Sequence, residues 1–75
     1  MHVTEDDTWD AGDLGCGELV LELRMRLRAM PGQVLKLVAT DAGAPEDIPA
    51  YCRMTGNDLV HAAAPAYWIR ARTSN

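Results

Sequence analysis

Two thiols, Cys16 and Cys52, are the chain's candidate nucleophiles, and they lie far apart with no CxxC pair. That spacing supports neither a zinc ribbon nor a thioredoxin-type redox motif. The two histidines, His2 and His61, have no second ligand at metal spacing, so no metal is expected. Asp41, Asp47 and Asp58 fall where turns and helix caps are expected and do not form a general acid and base pair. Cys16 is different. It stands between Gly15 and Gly17, just ahead of Glu18-Leu19-Val20-Leu21-Glu22-Leu23-Arg24-Met25-Arg26-Leu27-Arg28-Ala29-Met30, a run without a helix breaker. A thiol at a helix N-terminus meets unpaired backbone N–H groups and the positive end of the macrodipole, which both favour the thiolate. Cys16 is therefore a candidate nucleophile or sulfur carrier, against the plain alternative of a small hydrophobe buried at a turn.

The elements that must position it follow from periodicity. Trp9-Asp10-Ala11 is read as a short strand leading into the Cys16 turn. In the helix that follows, Leu19, Val20, Leu23, Leu27 and Met30 form one apolar stripe. Leu21 and Met25 fall on the opposite side, among Arg24 and Arg28, either as ordinary exposed apolar atoms or as a docking patch. Pro31-Gly32 ends the helix, and residues 33–40 read as a strand with Leu35, Leu37 and Ala39 on one face and Val34, Lys36 and Val38 on the other. A lysine between two valines implies a half-open face, hence helices on one side only. A second helix is expected from about Ala44 to Thr55, aligning Ile48, Tyr51, Cys52 and Thr55. There Cys52 reads as a packed core thiol, a resolving role being the alternative. Residues 58–63 and 66–72 close the chain as two strands joined around Ala64-Pro65.

The expected fold is α+β: a two-layer α/β sandwich of order βαβαββ, with a four-stranded mixed sheet and two helices on one face. The polar, acidic residues 1–7 are read as a disordered tail, and residues 8–75 as a single domain. At 75 residues the core is small, and with no Phe and four aromatics it must be aliphatic. A net charge of −4 disfavours nucleic acid as a partner, and Arg70 and Arg72 beside Trp68 and Lys36 read first as a solvated face, the sharper alternative being a patch for RNA or an acidic partner. With no signal-peptide pattern and no apolar run long enough for a bilayer, the cytoplasm is the expected location and Cys16 is expected to be reduced.

These residues together resemble the TusA/SirA-like sulfur-carrier family. The likeness rests on an aspartate in the first strand (Asp10), the Leu14-x-Cys16 turn, the aliphatic and basic helix, Thr40-Asp41, and Asp47-Ile48-Pro49 ahead of an aromatic and Cys52; it spans Trp9 to Arg72. The family's usual signature is Gly-x-x-Cys-Pro-x-Pro. Here Asp13 replaces the glycine, Gly17 the first proline and Leu19 the second, giving an atypical Cys-Gly-x-Leu. The resemblance implies a two-layer sandwich of the order read above. It also implies a persulfide carried transiently on Cys16 with no bound cofactor, and donor and acceptor proteins as partners; whether the chain counts as a sulfurtransferase enzyme stays open. Asp10, Leu14, Gly15, Gly17 and Glu18 would then support the turn and helix entrance, and Leu21, Arg24, Met25 and Arg28 would be the candidate docking surface. The rival readings are a non-catalytic interaction module of the same fold and, more remotely, an RNA-binding module. Asp13 and Glu18 place negative charge beside the thiol and oppose the helix-end effect.

Overall fold

The computed structural model describes residues 3–73. Its elements run β1 (Asp7–Gly12), α1 (Cys16–Arg28), β2 (Val34–Ala39), α2 (Ala44–Thr55), β3 (Asp58–Ala63) and β4 (Ala66–Arg70), the expected βαβαββ order. The strands form one mixed sheet in the spatial order β1-β2-β4-β3: β1 and β2 are parallel across the α1 crossover, and β4 is antiparallel to both its neighbours. The molecule is a slab whose shortest dimension, 18 Å, is that of two layers.

Strand parity decides which side is covered. Leu35, Leu37 and Ala39 of β2, Tyr67 and Ile69 of β4, and Ala11 of β1 turn toward the helices and are buried. They meet Leu19, Leu23 and Leu27 of α1 and Ile48, Tyr51 and Cys52 of α2 in a single core. The other face carries Thr8, Asp10, Lys36, Trp68 and His61; there the Lys36 ammonium lies 5.4 Å from the Trp68 ring centre and the His61 ring 5.2 Å from it. Arg70 pairs with Asp58 at 3.7 Å on the neighbouring strand. Arg72 departs from the expected face. Beyond the end of β4 its backbone N–H donates to Asn57 Oδ1 (2.9 Å) and its Nη1 to the Thr55 carbonyl (3.0 Å), which turns it toward the C-terminal end of α2.

Several boundaries differ from the sequence reading: β2 is a residue shorter at each end than 33–40, and β4 stops at Arg70 and not at residue 72. α1 begins at Cys16, not near Glu18, because Gly15 takes an extended cap conformation and its carbonyl accepts the first ladder bond from the Leu19 N–H, at 2.9 Å. Met30 belongs to the core but not to the helix: the Ala29 and Met30 amides tighten onto the Arg26 and Leu27 carbonyls ahead of Pro31-Gly32. The expectation of a loose tail through residue 7 is corrected. β1 starts at Asp7, Asp6 exchanges two hydrogen bonds with Val34, and Glu5 Oε1 accepts the Trp68 indole N–H at 3.1 Å. These carboxylates find N–H donors on the sheet, so acidity here marks anchoring. The rest of the tail reading, at Met1 and His2, lies outside the described residues.

Candidate functional site

β1 and β2 end side by side, and each is followed within a few residues by a helix, so α1 and α2 begin at the same end of the sheet. The path from β1 to Cys16 is held by short-range bonds. Asp10 Oδ1 accepts the Gly12 N–H (2.9 Å), and the register shifts between these two residues. Gly12 has φ +58°, a left-handed conformation suited to glycine, and its carbonyl accepts the Thr40 N–H at 2.8 Å. The Leu14 N–H then returns to the Ala11 carbonyl, while the Leu14 side chain packs half-buried on the core. Asp10 and Leu14 thus shape and anchor the turn that leads to Cys16.

Cys16 is the first residue of α1. The amides of residues 16–18 precede the first ladder bond, and Gly15 supplies no side-chain cap to compete for them. Gly15 and Gly17 are exposed, and a methyl group built on either would touch nothing. Glu18 and Asp13 are exposed on either side and make this end of the sheet acidic.

The expected docking residues divide between two flanks of α1. Leu21 and Met25 are 60% and 62% exposed, large values for such side chains, and with Trp9, Leu14, Glu18 and Glu22 they line a groove of about 310 Å³ next to the helix entrance. Trp9 sits under the Arg26 guanidinium, 4.5 Å from its ring centre, and Arg26 is itself held by Glu22 at 3.0 Å. Arg24 and Arg28 lie on the flank that faces α2, away from that groove. Trp9 and Glu22 were not among the sequence-derived site residues. Their signal was present in part, since Trp9 has the inward parity of Ala11 yet belongs to an edge strand that the helix layer covers only at its margin.

Cys52 is buried in the helix layer, 2% exposed. Desolvation, reinforced by the Asp58 carboxylate and partly offset by Arg53, pushes its thiol up to about 11. At neutral pH it is a core thiol. Among the described residues no group of three or more His, Cys, Asp or Glu could hold a metal ion, and no helix is long and apolar enough to cross a membrane.

This geometry has known relatives. A family profile described as sulfurtransferase TusA matches residues 7–72, from the first residue of β1 to just beyond β4. The chain belongs to the TusA family. It is 38% identical to the sulfur carrier protein TusA of Pseudomonas syringae pv. syringae over an alignment covering 96% of this chain and 92% of that relative. It is 39% identical to the sulfur carrier protein TusA of Pseudomonas aeruginosa strain LESB58, covering 96% and 98%, and 40% identical to that of Pseudomonas fluorescens, covering 87% and 84%. The resemblance noted in the sequence is thus membership, and the TusA fold, order and mixed sheet are those described above. The two departures from the proline signature occupy unlike places in this TusA chain. Gly17 faces open space, whereas Leu19 is fully buried and donates the first ladder bond.

Proposed function

We propose that this chain is a sulfur relay protein that carries sulfur as a persulfide on Cys16. The observation that carries the reading is the place of Cys16 as the first residue of α1, between two exposed glycines, in a chain of the TusA family. The chemistry needs little else. The Cys16 thiolate attacks the terminal sulfur of a donor's persulfide; the donor's S–S bond breaks, its thiolate leaves, and a new S–S bond forms on Cys16. An acceptor thiolate then attacks the outer sulfur and regenerates Cys16. No net oxidant is required, and the protons exchange with solvent. The amides of residues 16–18 and the N-terminal end of α1 stabilise the anion at each stage, while Glu18 and Asp13 oppose it. The relatives' printed name, sulfur carrier protein, supports this role. Donor and acceptor proteins follow from it, and the cytoplasm, where thiols stay reduced, is the compartment that suits it.

The test is intact-mass analysis after incubation with a persulfide donor, on the wild type and on Cys16→Ser and Cys52→Ala. One reductant-removable sulfur should appear on the wild type and on Cys52→Ala and be missing from a folded Cys16→Ser. Loading that survives in Cys16→Ser sinks the reading, and a wild type that no donor loads supports the interaction module in its place.

A further inference from the structure

The end of the molecule that carries Cys16 is acidic throughout. Residues 10–18 and 39–48, which lead into α1 and α2, contain Asp10, Asp13, Glu18, Asp41, Glu46 and Asp47 and no lysine or arginine. The arginines of α1 stand in its second half, at Arg24, Arg26 and Arg28. Acids in the first turn of a helix are ordinary, since the macrodipole favours them there. Asp10 and Asp41 also accept N–H groups of their own turns. Acidity alone therefore carries no site.

An apolar groove beside it changes the reading. Glu18, Leu21, Glu22 and Met25 recur at helical spacing along one flank of α1, about 10 Å of helix at 1.5 Å per residue, and line the groove with Trp9 and Leu14. Large apolar side chains are strongly exposed at few places among the described residues: Leu21 and Met25 sit together here, while Met54 and Val60 belong to α2 and β3. A solitary exposed apolar residue is ordinary, but a contiguous patch with half-buried Trp9 and Leu14 marks an interaction surface. Helix formation does not ask for Leu21 and Met25, because Glu, Gln or Lys serve as well on an exposed face. The two carboxylates of the groove differ. Glu22 is held by Arg26 at 3.0 Å, whereas Glu18 is exposed and pairs with no described residue.

We infer that this groove docks a cationic, apolar segment of a partner protein. An aliphatic or aromatic side chain of the segment rests on Leu21, Met25, Leu14 and Trp9, and a flanking lysine or arginine meets Glu18 and the acidic end around Cys16. The inference rests on the relay reading for its purpose, since a donor or acceptor must bring its own sulfur to residue 16, and the groove begins two residues along the helix from it. About 310 Å³ lies at the small end of ligand sites, room for one or two anchoring side chains and too little for a buried helix. Charge sets the sign of the partner: a carboxylate-lined end repels an acidic segment or a nucleic acid and speeds the approach of a basic one. A second copy is the poorer occupant. It would have to bring the arginine-bearing half of α1 to the acidic end, a head-to-tail contact that does not close into a dimer.

The test is an amide-shift titration of the 15N-labelled full chain with three blocked hexapeptides, Lys-Lys-Leu-Phe-Lys-Lys, Glu-Glu-Leu-Phe-Glu-Glu and Lys-Lys-Ser-Ser-Lys-Lys, at low and at raised salt. The first should give saturable shifts centred on the Trp9 indole and the amides of Leu14, Glu18, Leu21 and Met25, and should weaken as salt is added; the other two should not saturate. Leu21→Ser/Met25→Ser should weaken it by at least about tenfold with amide dispersion unchanged. Glu18→Gln should weaken it by about threefold, and Met54→Ser, on α2, should leave it unaltered. Non-saturable shifts, equal binding of either control peptide, or the same loss in Met54→Ser would each overturn the docking. So would the same shifts on raising the protein concentration alone, which would make a second copy the occupant. Loading of the wild type by glutathione persulfide is read separately. A chain that loads but does not bind the peptide refutes the docking alone; one that binds but does not load refutes the relay and leaves the groove as the surface of an interaction module.

Discussion

Raising the pH should destabilise the protein through Cys52, by an amount that burial sets. The folded thiol is pushed up to about 11, chiefly by desolvation, whereas an unfolded cysteine ionises near about 8.5. The unfolded chain therefore releases this proton first. The contribution of Cys52 to stability is whole below about pH 8.5 and is lost progressively as pH rises toward 11. The two and a half pH units between about 8.5 and about 11 correspond to about 3.4 kcal/mol at most, and solvent screening of a small two-layer core brings the expected loss to about 1–2 kcal/mol. The assay is the urea midpoint measured from about pH 8 to about pH 10.5, on wild type and on Cys52→Ala. Tyr51 and Tyr67 are also raised by burial; Tyr67 and Cys16 are common to both proteins, and Tyr51 is raised further by Cys52, so the difference between the two profiles reports Cys52 together with its coupling to Tyr51. The wild-type profile should fall more steeply with pH. Parallel profiles would show that Cys52 is not desolvated as described. The same burial leaves only about one part in ten thousand as thiolate at pH 7, and this is why Cys52 is expected to stay unloaded when a persulfide donor is added.

The two altered signature positions should respond oppositely to substitution. Gly17→Ala, in open space and with negative φ, should stabilise by about 0.5–1 kcal/mol in a urea titration, whereas Leu19→Pro should cost about 3 kcal/mol or more by losing a fully buried side chain and the bond to the Gly15 carbonyl. Gly56 ends α2 at φ +79° with its N–H on the Cys52 carbonyl, and Gly56→Ala should lower stability by about 1–2 kcal/mol in the same assay without altering the helix content seen by circular dichroism. Glu5→Ala should shift the Trp68 indole N–H resonance and leave that of Trp9 in place, at a cost of about 0.5–1.5 kcal/mol; an unmoved Trp68 signal would mean that the chain start is not held on the sheet.

The element order was legible because each boundary carries its own chemistry: Pro31-Gly32, the Gly43 to Pro45 helix start, Gly56-Asn57 and Pro65 punctuate the chain at local cost, independent of tertiary context. Cys16 was legible for the same reason, as a thiol set between glycines ahead of an uninterrupted amphipathic run. What could not be read depends on contacts between distant residues. Glu5 and Asp6 look like solvated tail acids until Trp68 and Val34 bring N–H groups to them. Arg72 has the parity of Arg70, but an α2 carbonyl seventeen positions earlier turns it out of the sheet. The division of the docking residues followed from angles on α1 that alone do not say which flank faces a second helix; only the packing of α2 separates Arg24 and Arg28 from Leu21 and Met25.

The two tryptophans lie on opposite faces of one thin sheet, and this gives the molecule two internal witnesses to its own assembly. Trp9 is bracketed by β1 and the Arg26 side chain, so its surroundings are complete only when α1 has settled on the strands. Trp68 donates its indole N–H to Glu5 across the breadth of β2, with Lys36 between β1 and β4 in the same register row, so its surroundings are complete only when three strands are aligned. Helix docking and strand alignment thus write to separate chromophores, and a folding reaction followed through each in turn would show whether the layer that carries the cysteine closes before, with or after the sheet beneath it.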